Sequence, residues 1–289
     1  MSGMSDWRYY NHGWISTLQP HETPDTQVFQ TGELFKYGGV LARYTTDFDC
    51  ENQTGWWYII KDTPYDISAL NAKKRWTVKQ GEKNFDVKII EPLEYSKELF
   101  DVAVAAFSAY PKKYRPTLVY EEYCKDVNTW LEKGMKVYGA FSKETDKLAG
   151  YAVIGYNKDC IELNILKTNP EYEKKQINAG LLYKVMLDFN ELKQSPTAVE
   201  HNYYICNGSR SILHETHFDD YLEKYFGFRK VYCNLHIEYN PKYRGLIKFL
   251  YIFRGLFKKF DFINKVHQLN GVLLMESIVR GSKKLKAAN

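Results

Sequence analysis

The sequence predicts an α/β fold of the α/β or α+β layer type, with a mixed central sheet flanked by helices. Three observations predict it. Between residues 85 and 239 the apolar pattern alternates between strand and helix spacing, in the order β-α-α-β-β-β-α-β-α-β. The longest helical stretch, 176–192, directly follows an apolar strand, 160–166. Lys143-Glu-Thr-Asp-Lys147 is a charged turn between two apolar runs and reads as a hairpin.

The elements follow in order. To about residue 70 the chain is β-rich and loop-rich, with a turn at Gly38-Gly39 and a short buried strand at Trp56-Trp57-Tyr58-Ile59-Ile60. Asp66 and Ser68 are cap residues for a basic helix over 69–80 that carries Lys73, Lys74, Arg75 and Lys79, with Gly81 as its stop. A strand over 85–90 precedes a helix over 95–110, whose apolar face is Leu99, Phe100, Val102, Ala103, Ala106 and Phe107. Two prolines make 110–116 a loop, and a second helix covers 121–134. Strands at 137–142, 148–156 and 160–166 lead to the long helix. A short strand at 203–206, a helix at 217–225 closed by Gly227, and a strand at 230–239 complete the pattern.

The tail differs. Leu246, Ile247, Phe249, Leu250, Ile252, Phe253, Leu256 and Phe257 are interleaved with Lys248, Arg254, Lys258 and Lys259. This reads as one or two amphipathic helices. They either pack on the domain or, being basic, lie as an interfacial helix on an anionic membrane through 241–289.

Composition sets limits. At 44% hydrophobic and a net charge of +5 in 289 residues, the chain is globular, and no single-sign field demands nucleic acid. The 24 tyrosines are a composition bias whose polar tips suit half-buried sites. Five scattered cysteines form neither a CxxC metal pair nor a disulfide framework, so a reduced, cytoplasmic setting and no metal are expected. The first residues lack the apolar run of a signal peptide, and no stretch reaches the length of a spanning helix.

Three segments carry a family likeness. The hairpin 137–153 resembles the central strand pair of the GNAT (acyl-CoA N-acyltransferase) superfamily. The strand 161–166, the loop 169–180 and the helix after it resemble that family's pyrophosphate loop. Tyr221-Leu-Glu-Lys-Tyr-Phe-Gly-Phe-Arg229 is similar to its "YEKLGF" helix end. Residues 73–87 resemble the basic helix that closes the first domain of Fem-type (FemAB-like) peptidyltransferases, which carry two tandem domains of this kind. The likeness implies a truncated first copy over 1–84, an acyltransferase domain over 85–240 and a helical tail over 241–289.

The likeness also implies chemistry. The family's loop pattern R/Q-x-x-G-x-G/A aligns here as Lys175-x-x-Asn178-x-Gly180, with Asn in place of the first glycine. A helix N-terminus with Lys174 and Lys175 beside it suits the diphosphate of coenzyme A. Acyl transfer needs a base, for which His214 or Glu215 is the candidate, and an acid for the thiolate, for which Tyr221 or Tyr225 is the candidate. His214 and His217 equally suit helix capping or packing. Arg210, Lys113 and Arg115 suit an anionic acceptor, or a solvated surface.

The expected function is acyl transfer from acyl-CoA to an amine or hydroxyl, with a small-molecule or glycan precursor of the cell envelope as acceptor, at the inner face of the membrane. Two alternatives stand beside it: a Fem-like aminoacyl transferase using charged tRNA, and a non-catalytic binding module on the same fold.

Overall fold

The computed structural model describes residues 4–112, 115–212 and 217–288. The chain begins with strands β1 (Trp7–Tyr10) and β2 (Gly13–Ser16), one-turn helices α1 (Gln27–Gln30) and α2 (Glu33–Lys36), and strands β3 (Leu41–Thr46) and β4 (Trp56–Lys61). Then come α3 (Ala72–Asn84), β5 (Phe85–Ile90), α4 (Ser96–Ser108), α5 (Tyr120–Glu132), β6 (Lys136–Ser142) and β7 (Leu148–Asn157). They are followed by β8 (Cys160–Thr168), α6 (Ile177–Lys193), β9 (Tyr204–Ser209), α7 (Phe218–Phe226) and β10 (Arg229–Tyr239). Helices α8 (Pro241–Ile252), α9 (Arg254–Lys258) and α10 (Asn264–Ala288) complete the order. The architecture is mixed α/β, with sheet flanked by helices.

Contacts divide the chain into two compact units. One comprises Met1–Ile59, Ser209–Thr216 and Lys230–Asn289; the other comprises Ile60–Gly208 and His217–Arg229. In the first, the strand order is β1-β2-β3-β10-β4. β1 and β2 form an antiparallel hairpin, β2 runs parallel to β3, and β10 pairs antiparallel with β3 from Asn234↔Thr46 to Tyr239↔Leu41. Its core joins Trp56, Cys233, Leu235 and Tyr239 to Ile247 of α8 and to Leu273, Met275 and Ile278 of α10. None of the five cysteines forms a disulfide.

The second unit has the order β9-β8-β7-β6-β5, with every pair antiparallel except β8 and β9. The expected charged turn joins β6 to β7, with Asp146 in left-handed geometry and Phe141 opposite Leu148. α4 and α5 cover one face, where Leu99, Val102, Tyr123, Val127 and Trp130 pack on Val137, Tyr151 and Val153. By strand alternation Ala152 and Ile154 turn to the opposite face, which α6 covers with Ile177, Leu181, Val185 and Phe189 buried.

The basic helix differs from its sequence expectation at both ends. Asp66 caps only a short 3-10 turn, Ile67–Ala69. Asn71 caps α3 itself, accepting from the Lys74 N–H at 3.0 Å. Gly81 does not stop the helix, which continues to Asn84. A Cβ on Gly81 would lie 2.4 Å from Gly180 N and 2.6 Å from Gln176 O, so α3 and α6 meet backbone to backbone. The glycine serves this crossing rather than a turn.

Helix propensity alone favours Ala over Gly by about 1 kcal/mol. At Gly81 the obstructing atoms are backbone and cannot rotate away, and overpacking costs about 1–3 kcal/mol. Gly81→Ala is therefore expected to lower stability in urea unfolding. Gly245→Ala, in α8 with nothing within 4 Å, is expected to raise it by up to about 1 kcal/mol.

The second prediction concerns alkaline pH. The Tyr123 hydroxyl donates to Tyr151 Oη at 2.9 Å, inside the α4–α5 core. Burial pushes Tyr151 up from 10 to about 12, and burial and then Tyr151 raise Tyr123 as well. Above pH 10 the unfolded chain releases protons that the folded chain keeps. This contribution is complete below pH 10 and is lost as pH rises from 10 to about 12. The decline in urea midpoint over that window should be shallower in Tyr123→Phe/Tyr151→Phe.

Candidate functional site

The second unit opens at one end of its strand order, between β9 and β8. β8 and β9 run parallel and pair only at Cys160↔Tyr204, Ile161↔Ile205 and Glu162↔Cys206. Beyond this, β8 continues beside β7 to Thr168, but no further rung joins it to β9. Burial changes at the same point. Cys160 and Ile161 are buried, whereas Glu162 through Thr168 are half-buried or exposed. A bulge at Asn164 sets the faces: Leu163 is opposite Ile154 and Ile165 is opposite Val153. Leu163, Leu166 and Thr168 therefore share the α6 face, while Ile165 and Lys167 share the α4 face. On that face the Lys167 Nζ lies 4.0 Å from the Phe107 ring centroid.

The loop after β8 leads into α6. Asn169 caps the 3-10 turn Pro170–Lys175, accepting from the Glu171 N–H at 3.1 Å. Gln176 then turns left-handed, at φ 66°, and starts α6 without a side-chain cap. Asn178 Oδ1 accepts from Thr168 Oγ1 at 3.2 Å, tying the first turn of the helix to the end of β8. Gly180 is buried against Gly81. Lys174 is exposed. Lys175 makes an ion pair with Glu144 in the β6–β7 turn, which raises the lysine and lowers the carboxylate from their ordinary values through hydrogen bonding. Its carbonyl accepts from Asn84 Nδ2 at 3.1 Å.

α7 lies beside this region. The part of β9 beyond its last rung with β8 is tied to the first turn of α7, because Asn207 Nδ2 donates to Asp219 Oδ1 at 2.8 Å. Gly227 closes α7 in left-handed geometry, as the sequence suggests. The Tyr221 and Tyr225 rings lie 4.8 Å apart. The hydroxyl of Tyr65 donates to the Tyr225 carbonyl at 3.1 Å. Burial, then neighbouring Tyr225 and Tyr65, raise the Tyr221 phenol, so it keeps its proton at neutral pH.

The remaining sequence candidates fall elsewhere. Arg210 belongs to the first unit, where its guanidinium stacks 4.2 Å from the Trp57 ring centroid and donates to Gly55 O at 2.7 Å. Burial lowers its pKa from the ordinary arginine value. Arg115 is exposed and donates from Nε to Tyr110 O at 2.6 Å. Lys113, His214 and Glu215 lie outside the described residues. Among the described residues, no group of three or more His, Cys, Asp or Glu is arranged to hold a metal ion. Also among them, no helix is long and apolar enough to cross a membrane.

Sequence reasoning missed several partners, namely Thr168, Glu144, Asn207 and Tyr65. It also missed a cavity of about 430 Å³ at the paired end of β8, lined by Lys136, Tyr156, Ile161, Lys184, Asp188 and Ile205. There Asp188 accepts from Lys184 Nζ at 2.6 Å and Tyr138 Oη at 2.9 Å, so its polar groups satisfy one another. The four-residue spacing of Lys184 and Asp188 on one helix is the signal that was available.

No family model and no curated protein matches the chain. Solved structures are similar in fold. One is L-PGS from Bacillus licheniformis, at 12% identity over 81% of this chain and 80% of that one, with a TM-score of 0.46. A conserved protein of unknown function from Bacteroides thetaiotaomicron is 12% identical over 76% and 78%, with a TM-score of 0.48. PaiA N-acetyltransferase from Thermoplasma acidophilum, in complex with coenzyme A, is 23% identical over 36% and 74%, with a TM-score of 0.29. At these values the likeness assigns no activity.

Proposed function

We propose that the chain is an acyltransferase that moves an acyl group from an acyl-CoA thioester to an amine or hydroxyl acceptor. The observation that carries this reading is the parting of β8 from β9 after Glu162↔Cys206. It leaves an open strand edge along 163–168. The pantetheine arm of coenzyme A carries amides that such an edge receives as it would a short added strand. Leu163 and Leu166 supply an apolar flank. The uncapped start of α6 lies just after the far end of this edge, and its amides and partial positive charge suit the diphosphate.

Lys174, Lys175 and Asn178 are the residues assigned to the diphosphate. Lys175 exchanges Glu144 for it, whereas Gly180 is buried against α3 and its N–H donates to Gln176 O. In the transfer, the acceptor nitrogen or oxygen bonds to the thioester carbonyl carbon, and its proton passes to Glu215 or His214. The C–S bond then breaks, and the thiolate takes a proton from Tyr221 or Tyr225. Burial makes the Tyr221 phenol a weaker acid than an ordinary tyrosine, so its shift opposes proton delivery to the thiolate. Lys113 and Arg115 are assigned to an anionic acceptor, a cell-envelope glycan precursor by analogy with Fem-type proteins, whereas Arg210 is held in the first unit by Trp57 and Gly55.

A second reading takes charged tRNA as donor. It is supported by α3, where Lys73 and Arg75 are exposed beside Trp76, an exposed aromatic surface suited to stacking on a base.

Labelled acetyl-CoA and charged tRNA, offered separately, should distinguish the readings, with saturable transfer expected only from acetyl-CoA. Coenzyme A should protect backbone amides of 163–168 from hydrogen exchange. Lys175→Ala should weaken its binding about tenfold and Glu144→Gln should strengthen it. Glu215→Gln and Tyr221→Phe should spare binding and slow turnover by about 10²-fold or more. The absence of both binding heat and amide protection with coenzyme A would rule out this donor.

A further inference from the structure

Helices α8 and α9 each carry two apolar stripes, and the first unit buries only one of them. Ile247 is buried, and Leu250, Tyr251 and Phe257 pack half-buried against the core around Trp56 and Leu273. The other stripe faces outward: Leu246, Phe249, Ile252, Phe253, Leu256 and Phe260 are all exposed. Phe262 and Ile263 continue it, with Ile252 at 68% and Phe262 at 81% exposure. Isolated exposed apolar side chains are ordinary, but eight of them within residues 246–263 mark a surface that something covers.

Charge indicates what covers it. Residues 241–265 contain seven basic residues, Lys242, Arg244, Lys248, Arg254, Lys258, Lys259 and Lys265, against one acid, Asp261. That acid is engaged by His267 at 2.8 Å and Asn270 at 2.6 Å. The basic residues flank the stripe and are exposed. A second copy of the chain would bring the same cations against each other, which disfavours a dimer through this face. The spacing 246, 249, 253, 256, 260, 263 is that of a coiled-coil seam, but the helix breaks at Phe253 and again after Lys258, so no continuous seam forms.

We infer that the α8–α9 face, with residues 260–263, docks on the surface of a bilayer containing anionic lipid. The aromatic and aliphatic side chains enter the boundary between headgroups and acyl chains, and the lysines and arginines meet the phosphates. The chain lies on the membrane through this face, independently of which donor the acyltransferase reading uses.

The test is co-sedimentation of the full chain with vesicles of phosphatidylcholine alone and of phosphatidylcholine mixed equally with phosphatidylglycerol. Binding to the mixed vesicles alone is expected, weakening as salt rises. Phe249→Ser/Ile252→Ser should reduce it about tenfold or more. Lys258→Glu/Lys259→Glu should reduce it by at least about fivefold for each lysine. Circular dichroism should stay unchanged, because all four side chains are exposed. Three results would overturn the proposal: no binding to the mixed vesicles, binding by both double variants undiminished from that of the unsubstituted chain, or a soluble dimer that Phe249→Ser/Ile252→Ser dissolves.

Discussion

A strand that leaves its neighbour partway along is a costly object, and the second unit is arranged around one. Buried backbone groups without partners cost about 1–3 kcal/mol each. β8 can part from β9 after three rungs only because the residues beyond Glu162 remain in reach of water or of a ligand. Two ties hold the opening in place. Thr168, the last residue of β8, is anchored to Asn178 in α6, and Asn207, beyond the last β8–β9 rung, is anchored to Asp219 in α7. The close crossing of Gly81 and Gly180 then fixes where α6 begins.

Much of this architecture was legible in the sequence. The hairpin between β6 and β7 and the glycine that closes α7 rest on local signals: a charged turn and a left-handed cap. Strand pairing at distance left no such mark. Linear reading places boundaries along the chain, at 84 and 240. The contacts instead return Lys230–Asn289 to the unit that holds the first residues, because β10 pairs with β3.

The site was less legible for the same reason. Lys175 and Asn178 were recognisable as residues suited to an anion, but their partners Glu144 and Thr168 come from other elements. Gly81 illustrates the ambiguity most directly. In a sequence it signals a helix stop, and in the fold it is a helical residue chosen for the backbone of another helix. Arg210 is committed to Trp57 and Gly55, a use that its charge does not announce.

The bulge at Asn164 has a consequence for reading related chains. One extra residue resets the parity of β8, so that Leu163 and Leu166, three apart, point the same way. A relative lacking that residue would keep its next side chains on the same sides but one place earlier, so an ungapped comparison would match each to a residue of the opposite face. Comparisons along this strand therefore need a gap at Asn164 before residues after it are matched by role.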